Sequence, residues 1–109
     1  MTRRTYRVVV RGVFDGLDDD TRTALLAEAA DHDLFASQFT EEGSLTYDTT
    51  LSAFSHRVVV HVESGPDEEA DAATTGELSA LAALERLGVG CRRLRSSVTS
   101  MDDMKVRRR

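Results

Sequence analysis

The sequence predicts an α+β domain of order βαββαβ, with one four-stranded antiparallel sheet and both helices on one of its faces. Three observations carry this. Four segments are either rich in Val or alternate apolar with polar residues, as strands do. Two helical segments open on acidic runs, Asp18-Asp19-Asp20 and Asp67-Glu68-Glu69, which favour the positive end of a helix. The single proline, Pro66, lies in Ser64-Gly65-Pro66-Asp67, the clearest punctuation in the sequence, and separates a strand from the helix that follows it.

Each element follows in order. Tyr6 to Val13 is the first strand, and Gly12 and Gly16 flank a turn region at Phe14-Asp15. The acidic run caps a helix that is expected to reach about Asp33, with Thr21, Leu25, Leu26, Ala29 and His32 on one face. Residues 34–43 read as a loop. Ser44 to Leu51 alternates and forms the second strand. Phe54 to Glu63, with Val58, Val59, Val60 and Val62, is the third. The short gap between these two implies an antiparallel hairpin. Asp67 to Leu87 is the second helix, stopped by Gly88 and Gly90, and Cys91 to Met101 is the last strand. This order is that of a ferredoxin-like split βαβ sandwich, with expected strand order 4-1-3-2.

Size and composition bound the function. A chain of 109 residues, 40% hydrophobic and 30% charged, supports one globular domain. Its core is expected over 5–101, with a solvated basic tail over 102–109. Net charge is −5 and the pI about 5.1, so neither nucleic acid nor an acidic membrane is the expected partner. Cys91 is the only cysteine, which excludes an internal disulfide. No apolar run approaches ~18 residues, and no signal-like segment precedes the first strand, so a cytoplasmic protein is expected. The three histidines fall on different elements without metal-ligand spacing. No metal and no cofactor is expected.

Alternation within the strands places side chains on two faces. Tyr6, Val8, Val10, Leu45, Tyr47, Phe54, His56, Val58, Val60, Val62, Leu94 and Val98 fall on the helix-covered face. The uncovered face then gathers Arg7, Arg11, Arg57, Arg93 and Arg95, with His61 and Asp48 beside them. Guanidinium groups packed closely repel unless anions lie among them. These arginines are therefore candidate ligand-binding residues for an anionic or carbonyl-rich small molecule. His61 is the candidate general acid/base, oriented by Asp48 across the hairpin. A simpler reading has the arginine stems covering the valines and their heads meeting water.

On the covered face, His56 and Glu77 are polar residues among apolar ones. They could pair as an acid/base couple, but the favoured reading has Glu77 reaching out past small alanines and His56 at a fraying strand end. The second helix's apolar stripe is read as Ala70, Ala73, Ala80, Leu81 and Leu84. His32 suits the negative end of the first helix. Arg92 and Arg93 could lower the pKa of Cys91, although a lone half-buried cysteine usually acts as a small apolar residue.

Arg7-Val8-Val9-Val10-Arg11-Gly12-Val13-Phe14-Asp15-Gly16 resembles the opening of acylphosphatases, which share the βαββαβ order. The acidic run that follows would repel phosphate, and the chain has no Asn to supply the family's asparagine, so that activity is not expected. RNA-recognition modules share the topology but need stacking aromatics where this chain has Val9, Val59 and His61. Over nearly its full length the chain resembles a family of short actinobacterial proteins carrying a domain of unknown function. That resemblance rests on Tyr6-Arg7-Val8-Val9-Val10-Arg11-Gly12, on Leu25-Leu26 with Glu28-Ala29-Ala30 before His32-Asp33, on Gly43-Ser44-Leu45-Thr46-Tyr47-Asp48, and on the ending Met101-Asp102-Asp103-Met104-Lys105-Val106-Arg107-Arg108-Arg109. It implies a ferredoxin-like fold and brings no catalytic residues. The expectation is a small homodimer whose open sheets hold a small-molecule ligand. By fold-level analogy it suggests a cofactor-independent cyclase or monooxygenase of secondary metabolism. The alternative is a non-catalytic interaction module using the same face.

Overall fold

The computed structural model describes residues 3–29 and 38–101. Its elements are β1 (Arg3–Asp15), α1 (Asp19–Ala27), β2 (Ser44–Tyr47), β3 (Ala53–Glu63), α2 (Glu68–Leu87) and β4 (Gly90–Ser100). All strand pairs are antiparallel, in the order β2-β3-β1-β4; counted from the β4 edge this is 4-1-3-2. The result is a small α+β domain with one open sheet and two helices.

The period-two pattern sets the faces. Tyr6, Val8, Val10, Val58, Val60 and Val62 are buried together with Ala72 and Ala80 of α2. Phe14, Leu25, Leu45, Tyr47, Leu51, Phe54 and Leu84 form a second cluster at the other end of the sheet. Gly12 belongs there because a Cβ would meet the Phe54 ring at 2.7 Å. Asp18 caps α1 by accepting from the Thr21 N–H at 2.7 Å, as its acidic run predicts. Gly88 closes α2 in the left-handed conformation, φ +74.

Several expectations need correction. The buried stripe of α2 is Ala72, Gly76, Ala80, Ala83 and Leu84, whereas Ala70 and Leu81 are exposed. Small residues set this face because the helix lies close to Val8 of β1, where a Cβ on Gly76 would meet Val8 Cγ1 at 2.5 Å. On α1 only Leu25 is buried, and Leu26 is 47% exposed. That helix ends at Ala27; the expected continuation to Asp33, His32 and the tail over 102–109 lie outside the described residues. The second strand stops at Tyr47 because Asp48 turns the chain: its Oδ1 accepts from the Thr50 N–H and Oγ1–H. Among the described residues, no helix is long and apolar enough to cross a membrane.

Candidate ligand-binding face

The uncovered face can be read row by row from the strand register. One row runs Arg95, Arg11, Ser55, Thr46 across β4, β1, β3 and β2. The next runs Ser97, Val9, Arg57, Ser44, and the one after joins Thr99, Arg7 and Val59. Thr5 then faces His61. Arg7, Arg11, Arg57 and Arg95 therefore share one face, as alternation predicts, with Arg7 and Arg57 half-buried and Arg11 and Arg95 exposed.

Arg93 reaches this end of the face by a different route. Arg11 is opposite Arg95 and Val13 is opposite Arg92, so Arg93 and Leu94 together oppose the single residue Gly12. This is a β-bulge, and Arg93 occupies left-handed backbone at φ +59. Such a conformation costs a non-glycine residue on the order of 1 kcal/mol. The bulge turns Leu94 toward both core clusters and puts Arg92, rather than Arg93, on the outward parity beside Val13. A glycine inside a strand pattern signals such a bulge, and Gly12 was the available clue.

A groove of about 1130 Å³ lies at this end, lined by Arg11, Arg93 and Arg95 together with Val13, Ser55 and Asp48. Among the described residues no carboxylate forms an ion pair with those three arginines. Asp48 lines the groove but is held in its turn, and its hydrogen bonds from Thr50 keep its carboxyl below the usual carboxylate range.

The Asp48–His61 couple is not formed. His61 lies six steps along β3 from Ser55 in the Arg11 row, roughly 20 Å of extended chain. His61 instead places Nε2 2.7 Å from Glu41 Oε2 and Nδ1 3.1 Å from Thr5 Oγ1. Glu41 is set by the segment before β2, where the Thr40 carbonyl accepts from the Val59 N–H at 2.9 Å and Phe39 lies over the Arg7 guanidinium, 5.2 Å to its ring centroid. The sequence carried no pattern pointing to Glu41, because a loop rather than a strand register brings it there.

The His56–Glu77 couple is not formed either. His56 is 1% exposed, in the middle of the pairing with β1 rather than at a frayed end, and its Nε2 is 2.9 Å from Ser79 Oγ. Burial, with a smaller effect of the Arg86 charge, lowers its pKa to about 4. Glu77 is half-buried and accepts from the Ser96 hydroxyl at 2.8 Å. Burial and then Asp15 raise the Cys91 pKa, opposite to the effect expected from the neighbouring arginines. Among the described residues, no three His, Cys, Asp or Glu side chains are grouped to hold a metal ion.

Comparison with curated proteins and with solved structures yields no match. A family model matches residues 1–109. The chain belongs to that family, a family of unknown function (DUF6204).

Proposed function

We propose that the protein binds an anionic, carbonyl-bearing small molecule in the groove at the β1–β4 end of its open sheet. One observation carries the reading: Arg11 and Arg95 are direct cross-strand partners, with Arg93 held beside them by a strained bulge. Like charges placed opposite one another destabilise a sheet, and an anion between them removes that cost. A carboxylate or enolate oxygen would take charge-assisted hydrogen bonds from the guanidinium groups. The apolar body of the ligand would lie against Val13, Ala53 and Leu94, which also line the groove. Its volume, about 1130 Å³, accommodates a ligand of drug-like size.

The element order and strand order support a ferredoxin-like architecture. In that architecture a second copy could close the open face as a homodimer. If turnover occurs, the arginines would hold developing negative charge on the substrate. Asp48, fixed in a turn, has no part in proton transfer on this reading.

Thermal unfolding against a panel of aromatic and aliphatic β-keto acids and simple carboxylates tests the proposal. A ligand at a hundredfold excess over its Kd adds about 2.7 kcal/mol of stability, a shift of several degrees. That shift should disappear in Arg11→Ala/Arg95→Ala. A panel that moves nothing, or shifts that persist in the double variant, overturns the proposal. If the face instead docks a protein, the panel is silent and charge reversal at Arg57 and Arg95 blocks association.

A further inference from the structure

At the other end of the open face, three side chains from three separate segments form a chain of hydrogen bonds. Thr5 of β1 and His61 of β3 are register partners, with Thr5 Oγ1 3.1 Å from Nδ1. Glu41 Oε2 is 2.7 Å from Nε2. The tautomer follows from the acceptor. A carboxylate can only accept, so Nε2–H donates to Glu41, and in the neutral ring Nδ1 is left to accept the Thr5 hydroxyl proton. Both separations lie within hydrogen-bond reach, the arrangement of a hydroxyl nucleophile, its base and a group that orients the base.

The surroundings suit this chemistry. Arg7 is the next outward residue of β1, and its Nε is buried without a hydrogen-bond partner. Its guanidinium lies over the Phe39 ring, 5.2 Å from the centroid, on the same outward face as Thr5. The Thr40–Val59 backbone bond anchors the segment that carries Glu41. His61 and Glu41 are open to solvent, so a substrate can reach them.

We propose that Thr5, His61 and Glu41 form an acyl-transfer site for small activated esters. Thr5 Oγ bonds to the acyl carbon while its proton passes to His61 Nδ1. The bond from acyl carbon to leaving-group oxygen breaks, and that oxygen takes the proton from Nδ1. Water then attacks the acyl-Thr5 ester and gives a proton to Nδ1, which returns it to Thr5 Oγ as the carboxylic acid departs. Ester and water become acid and alcohol, with no other reactant. Arg7 provides positive charge for the oxyanion of each tetrahedral intermediate. Glu41 is a positioning residue that acts through His61.

The full chain with p-nitrophenyl acetate provides the test. The wild-type protein should release nitrophenolate and carry one acetyl group on Thr5, located by peptide mass spectrometry. Thr5→Ala should lose the adduct, whereas Thr5→Ser should keep it. His61→Gln should lower the rate ~10²-fold or more, the usual contribution of a positioned base. Glu41→Gln should lower it less, and Glu41→Asp should restore part of the loss, which a merely structural role would not produce. Acetylation confined to Cys91 or another side chain, or full turnover by folded Thr5→Ala, overturns the proposal. Ligand-induced thermal shifts report on the groove roughly 20 Å away, so the two proposals fail independently.

Discussion

His56 Nε2 is 2.9 Å from the Ser79 hydroxyl, beneath α2 and within a ring position only 1% exposed, while His56 Nδ1 is buried without a partner. The folded protein therefore holds this imidazole neutral, with its pKa lowered from 6.5 to about 4 chiefly by burial. The unfolded chain binds a proton near the ordinary value. Above pH 6.5 both states are neutral and nothing is lost. As pH falls from 6.5 to 4 only the unfolded chain takes up the proton, and stability drops by on the order of 3 kcal/mol. Denaturant midpoints of wild type and His56→Leu across pH 4–7.5 check this. The variant should lose much of the acid slope; parallel slopes would show that His56 is accessible to protons in the folded state.

Gly76 and Val8 set how closely α2 approaches the sheet. Alanine in a helix interior normally stabilises by about 1 kcal/mol over glycine. Here the added Cβ would lie 2.5 Å from Val8 Cγ1 and 3.0 Å from Val8 Cβ, and Val8 is fully buried. A branched side chain fixed in the core has little room to yield, and overpacking costs about 1–3 kcal/mol. Gly76→Ala is therefore expected to destabilise, by about 1 kcal/mol net. In a double-mutant cycle by urea unfolding, Val8→Ala removes the Cγ1 contact and leaves only the Cβ contact at 3.0 Å, so Gly76→Ala should cost markedly less in the Val8→Ala background than in the wild type.

The parts of the fold legible in the sequence are those set by local periodicity. Tyr6, Val8 and Val10 and then Phe54, His56 and Val58 alternate strictly, so their shared face follows from the pleat. The acidic run at Asp18 and the stop at Gly88 are likewise local chemistry. What depends on close approach is not legible in the same way. Gly76 adds nothing to an apolar count, so periodicity points to Ala80 and Leu84 correctly but to Ala70 and Leu81 in place of Ala72 and Ala83. Asp48 reads as a strand residue by parity, but Asp48-Thr49-Thr50 favours a turn, and Thr50 takes the carboxylate that was expected to orient His61. Alternation places Arg7, Arg11, Arg57 and Arg95 on one face, but the bulge opposite Gly12 puts Arg92 rather than Arg93 on the outward parity, and alternation alone does not foretell that shift.

The hydroxyl of Tyr47 donates to the Leu25 carbonyl at 2.7 Å in a buried contact. It joins edge strand β2 to the last turn of α1, adding a second donor to a carbonyl that also accepts from the Glu28 N–H at 3.2 Å. Because Leu25 is the one buried residue of α1, this bond is a principal tie between that helix and the sheet. Tyr47→Phe should cost about 1 kcal/mol globally, the net value of one hydrogen bond. Its local effect should be larger. Amide exchange over α1 is expected to accelerate more than exchange over β1 and β3, whose strands pair on both sides. Equal acceleration throughout would mean that α1 opens only with the whole domain.

Arg95 and Arg11 face each other across β4 and β1 without a carboxylate partner among the described residues, so one of them is replaceable at a gain in stability. Arg95→Glu converts a like-charge pair into an opposite-charge pair. Cross-strand pairs of this kind are worth about 0.2–1 kcal/mol, so the variant should unfold at a slightly higher temperature at low ionic strength. Salt separates this cause from a packing change. Screening weakens the repulsion in the wild type and the attraction in the variant. Raising NaCl should therefore stabilise the wild type relative to Arg95→Glu until the difference closes. The same substitution should abolish anion-induced thermal shifts, because it places a carboxylate where the ligand's would lie. A variant that is more stable yet no longer binds would show that this cationic pair is kept for its ligand at the expense of the fold. A variant that is less stable at every salt concentration would show that the Arg95 side chain contributes to packing, and the groove would lose its main physical argument.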